Sequence, residues 1–116
     1  MSNYTPKKYK IKKEYEKLQT VIADVAPNKK DLAERFIREV AYMSVTLEEI
    51  KKEYDKNGKA VELFENGSQR MYRENTALKA YNNLIKNYNT TLKQLKDLIP
   101  DGQAQLDDLD EFTNRR

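Results

Sequence analysis

The chain has 116 residues, with 22 Lys or Arg against 19 Asp or Glu, a formal net charge of +3. The 38% hydrophobic fraction includes eight Tyr; without them and with the three Gly it falls to about 34%, below the usual ~45–50%. A short chain with so few apolar residues covers little of its surface alone, so self-association is expected. With no Cys and no His, disulfides, thiol nucleophiles, imidazole bases and most zinc sites are excluded.

No stretch approaches the ~18 apolar residues of a membrane span. The opening Met1-Ser2-Asn3-Tyr4-Thr5-Pro6-Lys7-Lys8 lacks the apolar region of a signal peptide. The reading is a soluble cytoplasmic protein, with the Asn-x-Ser/Thr matches at Asn3, Asn66 and Asn89 arising by chance. Charge is polarised: residues 1–30 hold eight Lys against Glu14, Glu16 and Asp24, whereas residues 101–116 hold five acids against Arg115 and Arg116. Such a basic head and acidic tail suit two different partners, or else two solvated ends.

The first helix is expected from near Thr5, with Pro6 at its first position and Tyr4 and Tyr9 placed for a hydrophobic staple. Its apolar stripe, Ile11, Tyr15, Leu18, Ile22 and Val25, has helical spacing. Pro27 stops it, disfavouring helical geometry at Ala26. Asn28 is then the expected cap of a second helix, with Asp31 as its acidic first-turn residue. This helix is expected to reach about Asp55, roughly 37 Å at 1.5 Å per residue. Phe36, Val40, Met43, Leu47, Ile50 and Tyr54 form its stripe, widened by Ala33, Ile37 and Ala41. Glu48 and Lys52 form a supporting i, i+4 pair.

After Asn57-Gly58, two short runs flank Asn66-Gly67, the strongest short-range hairpin signal; an ordered loop is the alternative. A third helix capped by Asn75 carries Leu78, Tyr81, Ile85, Tyr88, Leu92, Leu95 and Ile99, alternating three and four apart. That is a heptad seam. Ala77, Leu84, Thr91 and Leu98 form a second column seven apart beside it. One column fits the second helix and the other a neighbouring subunit. Pro100-Asp101-Gly102 ends the helix, and Gln103 to Arg116 is expected to be disordered, with Leu106, Leu109 and Phe112 as sparse apolar anchors.

Little here carries catalysis. Gly58, Gly67 and Gly102 sit in separate turns, so no phosphate-cradling loop exists, and a mobile acidic tail supplies no rigid cage for a cation. No cofactor or metal is expected, nor enzymatic activity. The best binding candidate is the basic segment Lys7, Lys8, Lys10, Lys12, Lys13 and Lys17, with Lys29 and Lys30 nearby. Lysine supplies attraction to phosphate without base discrimination. The first two helices, joined across Pro27-Asn28, are either a helix-turn-helix presenting Arg35 and Arg38 or a plain helical hairpin with solvated lysines.

Arg73-Glu74-Asn75-Thr76-Ala77-Leu78-Lys79-Ala80-Tyr81-Asn82-Asn83-Leu84-Ile85-Lys86-Asn87-Tyr88, continuing to Leu95-Lys96-Asp97-Leu98-Ile99-Pro100, resembles the C-terminal helix of a phage terminase small-subunit family. Met43-Ser44-Val45-Thr46-Leu47-Glu48-Glu49-Ile50 and the Asn66-Gly67 turn resemble the same family in the same order, over about residues 29–100. Thr76 departs from it, standing where relatives often carry Pro. The resemblance implies a non-catalytic component of a DNA-packaging motor in the cytoplasm of a bacterial host. Such proteins form rings, bind double-stranded phage DNA and recruit a large terminase subunit.

The expected fold is mainly α: long antiparallel helices, a short β-hairpin between them and an N-terminal helix, assembled as an oligomeric ring. Three segments are expected: a basic helical segment 1–28, an oligomerisation core 29–100 with the hairpin at 59–74, and the acidic tail 101–116. Oligomer contacts are assigned to Leu78, Tyr81, Leu84, Ile85, Tyr88, Leu92, Leu95 and Leu98, and the large-subunit contact to Leu106, Leu109 and Phe112. The rival readings are a coiled-coil adaptor that binds only proteins and a DNA-binding transcriptional regulator.

Overall fold

A computed structural model describes residues 6–100 and 103–114. The Thr5 start, the Tyr4–Tyr9 staple, the Asp101-Gly102 break, Arg115 and Arg116 fall outside these residues. The chain is mainly helical, with four helices and one two-stranded antiparallel sheet.

Helix α1 spans Lys7–Gln19, with Pro6 as its N-cap in extended geometry (ψ 141°) and not as its first helical residue. It ends well before Pro27. Over residues 18–25 the chain continues as a series of i→i−3 bonds: Val21 N–H to Leu18, Ala23 to Thr20, and Val25 to Ile22. Thr20, Val21 and Ile22 are β-branched residues of lower helix propensity. The tighter winding turns Val21 inward as well, so Leu18, Val21, Ile22 and Val25 are all buried. The apolar spacing held, but not on a continuous helix.

Pro27–Lys29 form a single 3-10 turn, and helix α2 spans Lys30–Asn57. Asn28 lies inside that turn and caps nothing; Lys29 holds the cap position and no side chain accepts from the helix start. Pro27, with its fixed φ, begins the winding one turn early, and Lys29 N–H bonds the Ala26 carbonyl at 2.8 Å. Asp31 occupies the first turn as expected.

Helix α2 is the central element, contacted by both α1 and helix α3, which spans Thr76–Leu98. Ala33, Ile37, Val40, Ala41, Met43, Ser44, Val45 and Leu47 are all buried, covering more than half its circumference. α1 runs back along α2: Lys30 meets the 22–23 carbonyls, Arg38 meets Tyr15, and Tyr42 and Glu49 meet Lys7. α3 is also antiparallel to α2, since Glu53, Tyr54 and Gly58 share one cleft with Asn75–Ala77 while Leu47 faces Tyr88 and Leu92 further along.

The connection between them is tight. Gly58 N–H donates to Tyr54 O at 2.7 Å. A Cβ on Gly58 would lie 2.5 Å from the Tyr54 ring, so this position needs glycine for space. Strands β1 (Val61–Asn66) and β2 (Gln69–Glu74) pair with Leu63 opposite Tyr72 and Asn66 opposite Gln69. The two turn residues are therefore Gly67 and Ser68, one position later than the Asn-Gly expected. Gly67 has φ 62° and no other described residue has positive φ, the pattern of a type II′ turn. Asn75 then caps α3, its side chain accepting from Ala77 and Leu78 N–H at 2.9 and 3.1 Å.

The tail expected as disordered forms helix α4, Gln103–Asn114. Leu109 and Phe112 are buried in the main core, Leu106 packs against it, and Gln105 donates to Asp24 at 2.6 Å. Three apolar residues at three-residue spacing suffice here because each of them joins or packs against the core that the other elements build. The protomer is elongated, with extents of 61 × 38 × 22 Å and a radius of gyration of 17.9 Å, against about 13 Å for a compact chain of this length.

If α4 completes the core, Phe112→Ala leaves a cavity beneath it and lowers stability by about 3 kcal/mol. Urea unfolding followed by circular dichroism measures this; an unchanged midpoint would mean that α4 is only laid on the surface.

Candidate nucleic-acid interface

The basic residues of α1 fall on two flanks because of helical spacing. Lys8, Lys12 and Tyr15 share one flank, at intervals of four and three; Lys10, Lys13 and Lys17 share the other. On α2, Arg35, Arg38 and Tyr42 share an exposed face by the same 3, 4 interval. The antiparallel packing sets the first flank beside this face. Tyr15 lies 6.0 Å from the Arg38 guanidinium, and Lys7 Nζ sits 4.7 Å above the Tyr42 ring. The seam thus carries cations and tyrosine rings, together with the acids Glu34 and Glu49 that pair with Arg38 and Lys7 and with exposed Asp31 and Glu39 one turn either side of Arg35.

The predicted residues differ in what already holds them. Lys7 is paired with Glu49 at 2.9 Å, Lys17 with the largely covered Glu14 at 3.7 Å and Arg38 with Glu34 at 3.6 Å; pairs that face solvent, as those of Lys7 and Arg38 do, are weak. Lys13 lies 5.0 Å from the Tyr9 ring. Lys8, Lys10, Lys12, Lys29 and Arg35 make no ion pair among the described residues. Lys30 is different: its Nζ donates to the Ile22 and Ala23 carbonyls at 2.7 and 3.0 Å. It fastens the 20–25 turn to the start of α2, a structural role, so it leaves the binding set.

Geometry excludes the helix-turn-helix alternative. Ten residues separate α1 from α2, where that motif joins its helices through about three or four, and α1 lies antiparallel along α2. The pair is a helical hairpin. It carries lysine point charges, arginine forks and tyrosine hydroxyls, groups able to bond phosphate oxygens; it presents no free recognition helix. Tyr42 and Tyr15 were missed as members of the strip. Tyr15 was read as core, and the Arg35-Arg38-Tyr42 interval was the signal that marks this face.

The other assignments also divide. Tyr88 and Leu95 are buried against α2 within the protomer, so they are removed from the oligomer contacts. Seven residues apart, they point to the same side of α3. Leu78, Tyr81, Leu84, Ile85, Leu92 and Leu98 are half-buried. Leu109 and Phe112, assigned to a large-subunit contact, are occupied by the chain's own core, and Leu106 is half-buried there. Beyond the end of α4 the α2–α3 crevice stays open as a groove of about 650 Å³, with Tyr81, Ile85 and Leu92 on its floor and Glu48, Lys51, Lys52 and Asp55 on its rim.

Among the described residues no helix is long and apolar enough to cross a membrane. Compared with protein-family models, curated proteins and solved structures, the chain shows no match.

The two kinds of lysine separate in a stability measurement. Lys30→Gln loses charged bonds to two carbonyls and costs about 1–2 kcal/mol, while Lys8→Gln with Lys12→Gln changes stability by under about 0.5 kcal/mol. Equal urea midpoints for the two variants would contradict the structural role of Lys30.

Proposed function

We propose that this chain is a non-catalytic DNA-recognition protein acting as a homo-oligomer, of the terminase small-subunit type. It engages double-stranded phage DNA at the start of genome packaging in the bacterial cytoplasm and regulates the large terminase subunit, which carries the ATPase and nuclease. The observation that carries the DNA part is the cation–tyrosine strip along the α1–α2 seam, where Lys8, Lys12 and Arg35 stand exposed without an ion pair among the described residues. Lysines serving only solubility have no need to share one flank with arginines and aromatic rings across two helices. The resemblance of residues 29–100 supports the packaging role.

The strip docks on the phosphate backbone and does not read bases, so affinity is governed by counterion release. Multiplicity then compensates for weak individual contacts: several strips on one assembly bind long DNA far more tightly than one strip does. A transcriptional regulator would prefer a dimer on a short palindrome instead.

Gel shifts with long duplex DNA at increasing salt test this reading. The variant Lys8→Gln/Lys12→Gln/Arg35→Gln should bind more weakly, its log–log salt slope flatter by about 0.9 per lost phosphate contact. An unchanged slope would move the DNA site off this seam. No shift by the parent protein even at low salt would favour the adaptor that binds proteins alone.

A further inference from the structure

The side of α3 turned away from α2 takes no part in the core or in the α1–α2 seam. Burial of Tyr88 and Leu95 fixes the inner side of this helix. At 3.6 residues per turn, Lys79, Lys86 and Lys93 fall roughly opposite them, seven residues and about 10.5 Å apart. Asn82, Asn89 and Lys96 each follow one of these lysines by three residues and form the adjoining flank. All six are exposed. The four lysines make no ion pair among the described residues.

The contrast with α2 is one of charge. α2 interleaves seven Asp or Glu with six Lys or Arg, whereas α3 sets four Lys against the single acid Asp97, in its last turn. At the other end Glu74 precedes the helix, and Asn82 donates to it at 3.5 Å. No acid of α3 lies between Lys79 and Lys93, about 21 Å of helix. Lysines kept for solubility gain from acids four residues away, and the exposed positions among them suit strong helix formers. Here Asn82 and Asn89 hold such positions, at a cost in helix propensity. Each brings an amide with two donors and an acceptor.

We propose that this outer face of α3 is a second docking surface for duplex DNA. Lys79, Lys86, Lys93 and Lys96 meet phosphates, and Asn82 and Asn89 add hydrogen bonds to the backbone or to base edges. The surface shares its ligand with the seam and nothing else, so it stands whether or not the seam binds. Its chemistry selects the partner. A line of cations with no acid among them complements a polyanion. No aromatic or large apolar side chain of α3 is exposed, so the bases of a single strand find no ring to stack on and a lipid surface finds no apolar face to take up. A straight rod of about 25 Å from Lys79 to Lys96 crosses the ~12 Å major groove and reaches phosphates on both its sides.

Fluorescence anisotropy of a labelled mixed-sequence duplex, titrated with the full chain at several salt concentrations, tests this. Lys79→Gln/Lys86→Gln/Lys93→Gln, at exposed positions, should keep its helical circular dichroism. It should bind at least about tenfold more weakly at low salt, with a log–log salt slope flatter by about 2.7 for three lost contacts. Lys51→Gln/Lys52→Gln/Lys56→Gln removes the same charge from α2 and should change the slope by less than one contact, about 0.9. Equal losses from these two variants would mean that net charge alone matters and would overturn the proposal. So would an α3 variant that binds like the parent, or a parent that fails to bind the duplex, whether or not it binds vesicles of anionic phospholipid. The seam variant Lys8→Gln/Lys12→Gln/Arg35→Gln in the same titration keeps the two sites apart. A flattened slope from that variant alone removes α3 and leaves the seam; from the α3 variant alone, it does the reverse.

Discussion

The burial of α2 on two sides is the constraint on which the rest of the molecule depends. A 28-residue helix has to present apolar atoms to α1 across one arc and to α3 across another, and small residues make this possible. Ala33, Ala41 and Ser44 are each fully buried, so neighbouring helices approach closely without crowding at α2. The two arcs together leave one exposed strip on α2, and that strip carries Arg35, Arg38 and Tyr42. The exposure of this strip is therefore a consequence of the packing: these residues lie outside because the other directions around α2 are taken.

The same packing limits what the protomer covers by itself. α1 is short, and α4 covers only part of the core that the other elements build. Past its end Tyr81, Ile85 and Leu92 pack against the core but line an open groove and stay only half-buried. At the far end the chain leaves the α2–α3 pair as a ribbon with apolar side chains in water. One protomer thus holds a vacancy and a projection of similar character. The open groove and the bare hairpin both follow from the shortage of apolar residues visible in the composition.

Much of this was legible before the structure, for physical reasons that can be named. The α3 seam was readable because it is long, periodic and capped by Asn75, whose side chain makes the two bonds its position promised. The extent of α2 was readable from its unbroken stripe. The end of α1 was not: the spacing of Leu18, Ile22 and Val25 fits a helix, yet a chain of i→i−3 bonds through β-branched residues buries the same side chains. α4 was missed because three apolar residues among acids fall short of a stable helix in isolation. Only the crevice made by other elements rewards their burial. The site followed the same rule: the lysines were visible, but which of them hold the fold, as Lys30 does, depended on carbonyls seven and eight residues away.

The most direct measurement is the mass of the native assembly in solution, by light scattering across a wide dilution series. Several chains per particle are expected, persisting on dilution. A particle of 13.7 kDa, one folded chain, at every concentration would contradict the account.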